Sequence, residues 1–231
     1  TGSSVTRNFS YLKAVFNFVV SEYALDVRNP FIGVYHDRQA GVIKRQPIPI
    51  ERIKQVQTHC RQIDDDMRWL VALLSDTGLR LAEGAGLLKS DIHIDCEVPF
   101  VRIQKHPWRG LKTRSSERDV PLVGQALWAA ERVVQAPSDS AFAFARYNQT
   151  DTTAANSASA ALNKWLKHYV PAGCTMHSFR HSMRDRLRAV ECPSEMIDQI
   201  GGWQTNGIGH NYGNGYALSG LHPWLQKLPI T

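Results

Sequence analysis

Apolar residues recur every three or four positions along most of this chain, and that spacing constrains its fold more than any other feature. Tyr11, Val15, Val19 and Tyr23 stand at i+4 intervals, with Leu12, Phe16 and Phe18 close to that face, and Ile50, Ile53, Val56 and Cys60 keep a helical spacing too. Such a period puts one apolar stripe on a helix. A helix is also expected over "DDDMRWLVALLSDTG", with acidic residues at its positive N-terminal end and Gly78 as its stop. Others are expected over "LRLAEGAGLLKSDI", over "VGQALWAAERVVQ", from about Ala154, at about 177–190 and at 193–201. The glycine-rich end becomes weakly helical at "LSGLHPWLQKL". Two stretches read as strands instead: "EVPFVRIQ" alternates, and "GLKTRSSERDVPL" reads as two short strands around a polar turn. The expected class is mainly α with a small antiparallel β-sheet (α+β), the sheet inserted after the third helix of the main domain.

The first helix stops at "VRNPF", because a residue before proline avoids helical angles. Residues 33–47 carry Gly, Pro and charge without a period and read as a linker. One amphipathic helix cannot bury its own face. Residues 1–32 therefore read as the end of another domain, or as an element docked on the main one, which spans 48–231. At 231 residues and 43% apolar content, the chain can bury a sizeable core. A net charge of +6 leans toward a polyanionic partner. The longest apolar run, "WLVALL", is too short to span a bilayer. The opening "TGSSVTRNFS" lacks the apolar core of a signal peptide. The four cysteines, at 60, 96, 174 and 192, form no C-x-x-C pair, and a reducing cytosol is expected.

One helix, "TMHSFRHSMRDRLR", concentrates His177, Arg180, His181, Arg184, Arg186 and Arg188. Like charges at such spacings repel by roughly a few tenths of a kcal/mol per pair. Either the face is solvated or something negative binds there. No G-x-S-x-G, P-loop or H-E-x-x-H is present. The two histidines of "HSFRH" stand at i, i+4, but the glutamate and third ligand of a metal site are missing. Neither a metal nor a cofactor is expected.

Four stretches fit one plan. They are "DTGLRLAEGAGL" with Arg80 and Glu83, "LKTRSSERDVPL" with Lys112, "HSFRH", and "GGWQTNGIGHNYG" with Trp203 and, nine residues on, Tyr212. In this order they resemble the catalytic domain of the tyrosine recombinases, the phage-integrase family. Residues 77–83 match its T-G-L-R-x-x-E box. "HSFRH" matches its H-x-x-R box, "LKT…DVPL" its hairpin lysine before a V-P-L strand, and "GW…Y" its nucleophile spacing. "NPF" at 29–31 is similar to the family's junction between its clamping and catalytic domains. The resemblance covers about residues 48–220, plus the last helix of a truncated N-terminal core DNA-binding domain.

The resemblance implies a tyrosine recombinase/type IB topoisomerase-like fold and a site-specific recombinase that cleaves and rejoins double-stranded DNA. Tyr212 would be the nucleophile, forming a covalent 3′-phosphotyrosine. Arg80 and Arg180 would each fork two N–H donors onto nonbridging oxygens. Trp203 would add an indole N–H to the same developing charge. Lys112 would protonate the leaving 5′ oxygen, with Lys105, Arg109 and Arg114 as rivals. His177 would take or hold the tyrosine proton. Glu83 and His181 would be supporting residues, and Arg114 and Arg184 would touch DNA phosphates. A homo-tetramer on DNA, monomeric without it, is implied. So is a cytoplasmic, nucleoid-associated, bacterial or phage-encoded protein. The C-terminal segment could dock on a neighbouring subunit or pack on its own domain.

The sequence departs from the family near the tyrosine, where "NGIG" replaces two threonines. Gly207, Gly209, Gly213 and Gly215 crowd that segment, each costing a helix about 1 kcal/mol against Ala. It is expected to be poorly ordered without DNA or a partner. Tyr216 is a rival nucleophile, but it lies thirteen residues from Trp203. A type IB topoisomerase-like enzyme, or a DNA-binding regulator that has lost the reaction, are the alternative readings.

Overall fold

The computed structural model describes residues 1–41, 46–203 and 215–228, except for the side chain of Arg114. The chain forms two compact units, Thr1–Arg45 and Gln46–Thr231.

In the first unit, α1 (Gly2–Glu22) is capped by the Thr1 hydroxyl, which accepts from the Ser4 N–H. The "NPF" segment closes back on this helix. Asn29 donates to the Lys13 carbonyl and to Asn17. Phe31 stands 6.4 Å from Phe9 and 6.1 Å from Phe16, centroid to centroid. Residues 33–41, read from sequence as linker, continue along the helix: His36 meets the Thr6 hydroxyl at 2.7 Å, and the Ala40 carbonyl accepts from Gly2 N–H. The strap thus covers the Phe9–Phe16 side. The stripe that sequence periodicity singles out is exposed: Tyr11, Val15, Val19 and Tyr23 all face solvent. Among the described residues of this unit α1 is the one helix, and no second layer of the unit covers that stripe.

The second unit is built around α3 (Asp66–Thr77), which Asp65 caps by accepting from the Arg68 N–H at 2.9 Å. All eight residues from Leu70 to Thr77 are buried. Around it pack α2 (Ile50–Ile63), α5 (Gly124–Gln135) and α7 (Ser178–Ala189). The short α4 (Leu81–Ala85) rests on α6 (Ala155–Leu166). Between α4 and α5 lies an antiparallel sheet in the order β1-β2-β3: β1 (Ile92–His93), β2 (Phe100–Ile103) and β3 (Arg118–Pro121). Val101 faces Val120, and Arg102 faces Asp119, with which it forms an ion pair at 2.9 Å. The expected class therefore holds, including the place of the sheet.

One local expectation fails. "GLKT" is not a strand; β2 and β3 are joined by residues 104–117, which contain a 3₁₀ turn at Arg114–Ser116. Arg109 anchors this connection from inside. It is buried, donating to the Glu83 carbonyl and, at 2.6 Å, to the Gln104 carbonyl. Its bonds hold the connection to α4 instead of to a neighbouring strand.

Among the described residues two further helices, α8 (Ser194–Gly201) and α9 (Leu218–Gln226), both touch β3. Leu221, Leu225 and Leu228 of the C-terminal segment are buried in the unit's own core. Of the two docking modes open from sequence, this structure adopts packing on its own domain. Among the described residues, no helix is long and apolar enough to cross a membrane.

Candidate active site

Gly78 is the point from which the site is built. It ends α3 with φ +64°, a conformation that costs an L side chain. A Cβ there would lie 2.9 Å from the Met183 side chain and 3.9 Å from Arg180 Cα. The missing side chain thus lets α7 approach the end of α3. The Gly78 carbonyl then accepts from Arg180 at 2.8 Å. Two residues on, Arg80 opens α4, and its N–H donates at 2.9 Å to the Glu83 carboxylate, one helical turn ahead. The T-G-L-R-x-x-E spacing is therefore a helix stop, a close helix crossing and a helix start in seven residues.

Glu83 is buried and holds two arginines. The Arg80 guanidinium donates to one of its oxygens, and Arg118 of β3 donates to the other at 3.1 Å. Burial pushes the Glu83 carboxyl up, but Arg118 and then Arg80 outweigh it and hold it below its ordinary value. Arg80 also donates to the Ser116 hydroxyl at 2.9 Å and to the Gly202 carbonyl at 3.3 Å.

Arg180 reaches this cluster from α7. The turn before that helix is fixed by Ser178 and Thr175, each donating its N–H to an oxygen of the other, and by Asn163, which accepts from Met176 N–H. His177 is the N-cap residue and is half-buried, while His181 is exposed, their rings 5.3 Å apart. The Arg180 guanidinium lies 4.2 Å from the Trp203 ring centre. Burial, then the charges of Arg80 and Arg118, push Arg180 down to about 9. It stays cationic at neutral pH, and among the described residues its buried Nη2 has no hydrogen-bond partner.

Trp203 follows a glycine pair whose two members do different things. A Cβ on Gly201 would sit 1.7 Å from the Trp203 ring, so only glycine leaves the indole its place. Gly202 takes φ +61° and ends α8. The Trp203 N–H donates to the Asp198 carbonyl at 2.9 Å.

The remaining sequence candidates separate into groups. Lys112 is exposed. It adjoins Thr113, whose hydroxyl is 3.0 Å from that of Ser116, the same hydroxyl that receives Arg80. Among its rivals, Arg109 is occupied inside the protein and Lys105 is exposed. Arg114 opens the 3₁₀ turn, and its side chain lies outside the described part of the structure. Arg184 bonds Asp198 at 3.0 Å and covers Trp203 at 4.9 Å, so the protein itself engages the guanidinium expected to touch phosphate. Arg186 is neither solvated nor available to DNA: it is buried on Asp76 at 2.9 Å. Tyr212, with the glycine-crowded segment, lies outside the described residues. Tyr216 is described, and its hydroxyl donates to Glu195 at 2.9 Å.

Sequence reasoning missed Arg118, Ser116 and Asp198. For Arg118 the signal was present: in "RDVPL" a period of two puts Arg118 on the face of Val120 and Leu122, which is the buried one. The cluster sets three guanidiniums, Arg80, Arg118 and Arg180, around one buried carboxylate. That surplus of fixed positive charge suits a phosphate, which can accept forked N–H pairs. Among the described residues, no three His, Cys, Asp or Glu side chains are grouped to hold a metal ion.

The sequence pattern described as the Phage integrase family matches residues 49–216. Among solved structures, the Tn1549 transposon integrase in complex with circular intermediate DNA is similar at 17% identity and a TM-score of 0.63. That match covers 96% of this chain and 78% of the other. The integrase from mycobacterium phage Brujita is similar at 14% identity, 99% and 72% coverage and a TM-score of 0.58. The XerA recombinase is similar at 14% identity, 97% and 78% coverage and a TM-score of 0.52. At these identities the likeness is one of fold. No curated protein matches the chain.

Proposed function

The chain belongs to the phage integrase family of site-specific, DNA-breaking and rejoining recombinases, and from that premise we propose how its own residues carry out the reaction. The scissile phosphate binds against Arg80 and Arg180, and the observation that carries this reading is the buried, unpartnered Nη2 of Arg180 beside Arg80. A buried donor without a partner is costly, and a nonbridging phosphate oxygen satisfies it. As charge builds on the phosphorane, the two guanidiniums meet it without reorganising, because Glu83 and the Gly78 carbonyl already hold them.

Tyr212 is the nucleophile, His177 takes or holds its proton, and Lys112 protonates the departing 5′ oxygen. The product is a 3′-phosphotyrosine that keeps the energy of the phosphodiester, so a 5′ hydroxyl can displace the tyrosine. No metal or cofactor takes part in these steps. Trp203 supports Arg180 through its ring face and offers its indole N–H to the same charge. The partner is duplex DNA, recombination proceeds in a homo-tetramer assembled on it, and the work is done in the cytoplasm on nucleoid DNA. Residues 1–32 supply the last helix of a DNA-clamping domain.

A suicide DNA substrate, nicked so that cleavage is trapped, tests the reading by denaturing electrophoresis. A covalent adduct should form in excess chelator, vanish in Tyr212→Phe and persist in Tyr216→Phe. An adduct mapped to Tyr216, or cleavage that needs magnesium, would overturn it.

A further inference from the structure

We propose that Arg118 is a positioning residue for the DNA-cleaving site: it locks the Glu83–Arg80 pair to the turn that carries Trp203, so the arginine cluster is set before DNA arrives. The inference rests on the reading above and goes beyond it, because no step of the reaction calls on this residue.

Each of the three nitrogens of the Arg118 guanidinium donates to a different segment. Nη2 of Arg118 donates to Glu83 on α4 at 3.1 Å. Nε donates to the Ile200 carbonyl, near the end of α8, at 2.8 Å. Nη1 donates to the Ser116 carbonyl, in the β2–β3 connection, at 2.6 Å. One side chain therefore bridges three segments that are far apart in sequence. Each of them presents a group to Arg80: Glu83 its carboxylate, Ser116 its hydroxyl, and the end of α8 the Gly202 carbonyl.

The fit is close. A Cβ on Gly202 would lie 2.7 Å from Arg118 Nη1, so the glycine at that turn leaves room for the guanidinium. Burying this arginine is unfavourable, and burial pushes it down against the pull of Glu83. Three hydrogen bonds from one planar fork offset that cost, and a lysine, a single point charge on a flexible stem, lacks that geometry. Arg118 is buried and each of its three nitrogens bonds an acceptor inside the protein, so it does not present itself to the surface on which the phosphate would lie. Its effect on the reaction must pass through Arg80 and Trp203.

The charged groups around Glu83 are consistent with this division. Arg80 comes from the start of α4, Arg118 from β3, and Arg180 from α7. Arg109, from the connection, touches only the Glu83 carbonyl. Losing Arg118 leaves the carboxylate to Arg80 and frees the Trp203 turn from the sheet.

The test uses the full chain on the suicide substrate, with DNA affinity and single-turnover cleavage measured separately. Arg118→Gln should bind DNA within about twofold of the parent yet cleave on the order of a hundredfold more slowly, the usual result of misplacing a catalytic group by about 1 Å. Arg118→Lys, which keeps the charge but not the fork, should recover part of that loss. If Arg118→Gln melts below the assay temperature, the rates of Arg118→Lys are read in its place. Adding Arg118→Gln to Glu83→Gln should cost much less than it does in the parent, because the two act through the same guanidinium. Cleavage by Arg118→Gln at the parent rate would overturn the inference, as would equal losses in affinity and rate, or full independence of the two substitutions. Failure of the parent to form any adduct would instead overturn the reading of the reaction itself.

Discussion

Replacing Gly78 by alanine should damage both the stability of the Gln46–Thr231 unit and its chemistry, for two separable reasons. The backbone there has φ +64°, and the left-handed region costs an L residue roughly 1–2 kcal/mol. Alanine returns about 0.4–1 kcal/mol by restricting the unfolded chain. The new methyl would also start 2.9 Å from the Met183 side chain, which is fully buried and cannot swing away. Overpacking of this kind costs about 1–3 kcal/mol. The sum is about 1–5 kcal/mol. A unit of this size loses about 2–4 °C per kcal/mol, so the melting temperature should fall by roughly 2–20 °C. Relief of the clash moves α7 off α3, and Arg180 with it, so cleavage at a temperature where the variant is folded should also fall on the order of a hundredfold. The crowding part can be isolated by adding Met183→Ala. That change alone costs about 2–5 kcal/mol by leaving a cavity, yet the double variant should be more stable than the two losses predict. A melting temperature within about a degree of the parent, or strictly additive losses, would refute the account of Gly78.

Lys112→Ala should slow cleavage by about 10²–10⁴-fold and recover on a substrate whose bridging 5′ oxygen is sulfur, whereas Arg80→Ala and Arg180→Ala should stay slow on both; a Lys112→Ala variant equally slow on sulfur shifts the acid role to Lys105 or Arg114. Because the folded Glu83 carboxyl is held below its unfolded value near 4.3, its contribution to stability is complete above that value and is lost as pH falls through the lower, folded one. Melting curves should show the parent losing stability faster than Glu83→Gln between about pH 5 and pH 2, and parallel curves would contradict the pairing. Inorganic phosphate should raise the melting temperature by occupying the Arg180 donor and should do so far less in Arg180→Gln, which a calorimetric titration of both proteins checks.

The sequence carried the helices well because their apolar periods are local: the stripe Ile50, Ile53, Val56 and Cys60 needs no partner to be recognised. It carried the T-G-L-R box for the same reason, since a helix stop and a helix start are written in adjacent residues. The connection around Lys112 was misread as a strand because its shape is set by contacts absent from its own sequence. Arg109 reaches back to the Glu83 carbonyl, and Thr113 and Ser116 bond each other. The exposed stripe of α1 was legible as a stripe, but which side the returning strap would take was not. That choice depends on Phe31 finding Phe9 and Phe16 and on Asn29 finding Lys13.

The cationic run on α7 shows most clearly what pairing across the chain does to a local pattern. Read along the helix, Arg180, Arg184, Arg186 and Arg188 are equivalent charges that repel. Folding makes them different. Asp76, at the end of α3, takes Arg186 into the core. Asp198 of α8 takes Arg184. Arg188 stays at the surface, 3.6 Å from Asp185. Among the described residues Arg180 has no ion-pair partner of its own: a backbone carbonyl and an aromatic face hold it. Neutralising the neighbours makes the helix tolerable, and withholding a counter-ion from Arg180 puts the uncompensated charge beside Arg80. The repulsion that made the segment improbable as a plain helix is thus relieved at every position except the one where a phosphate would relieve it.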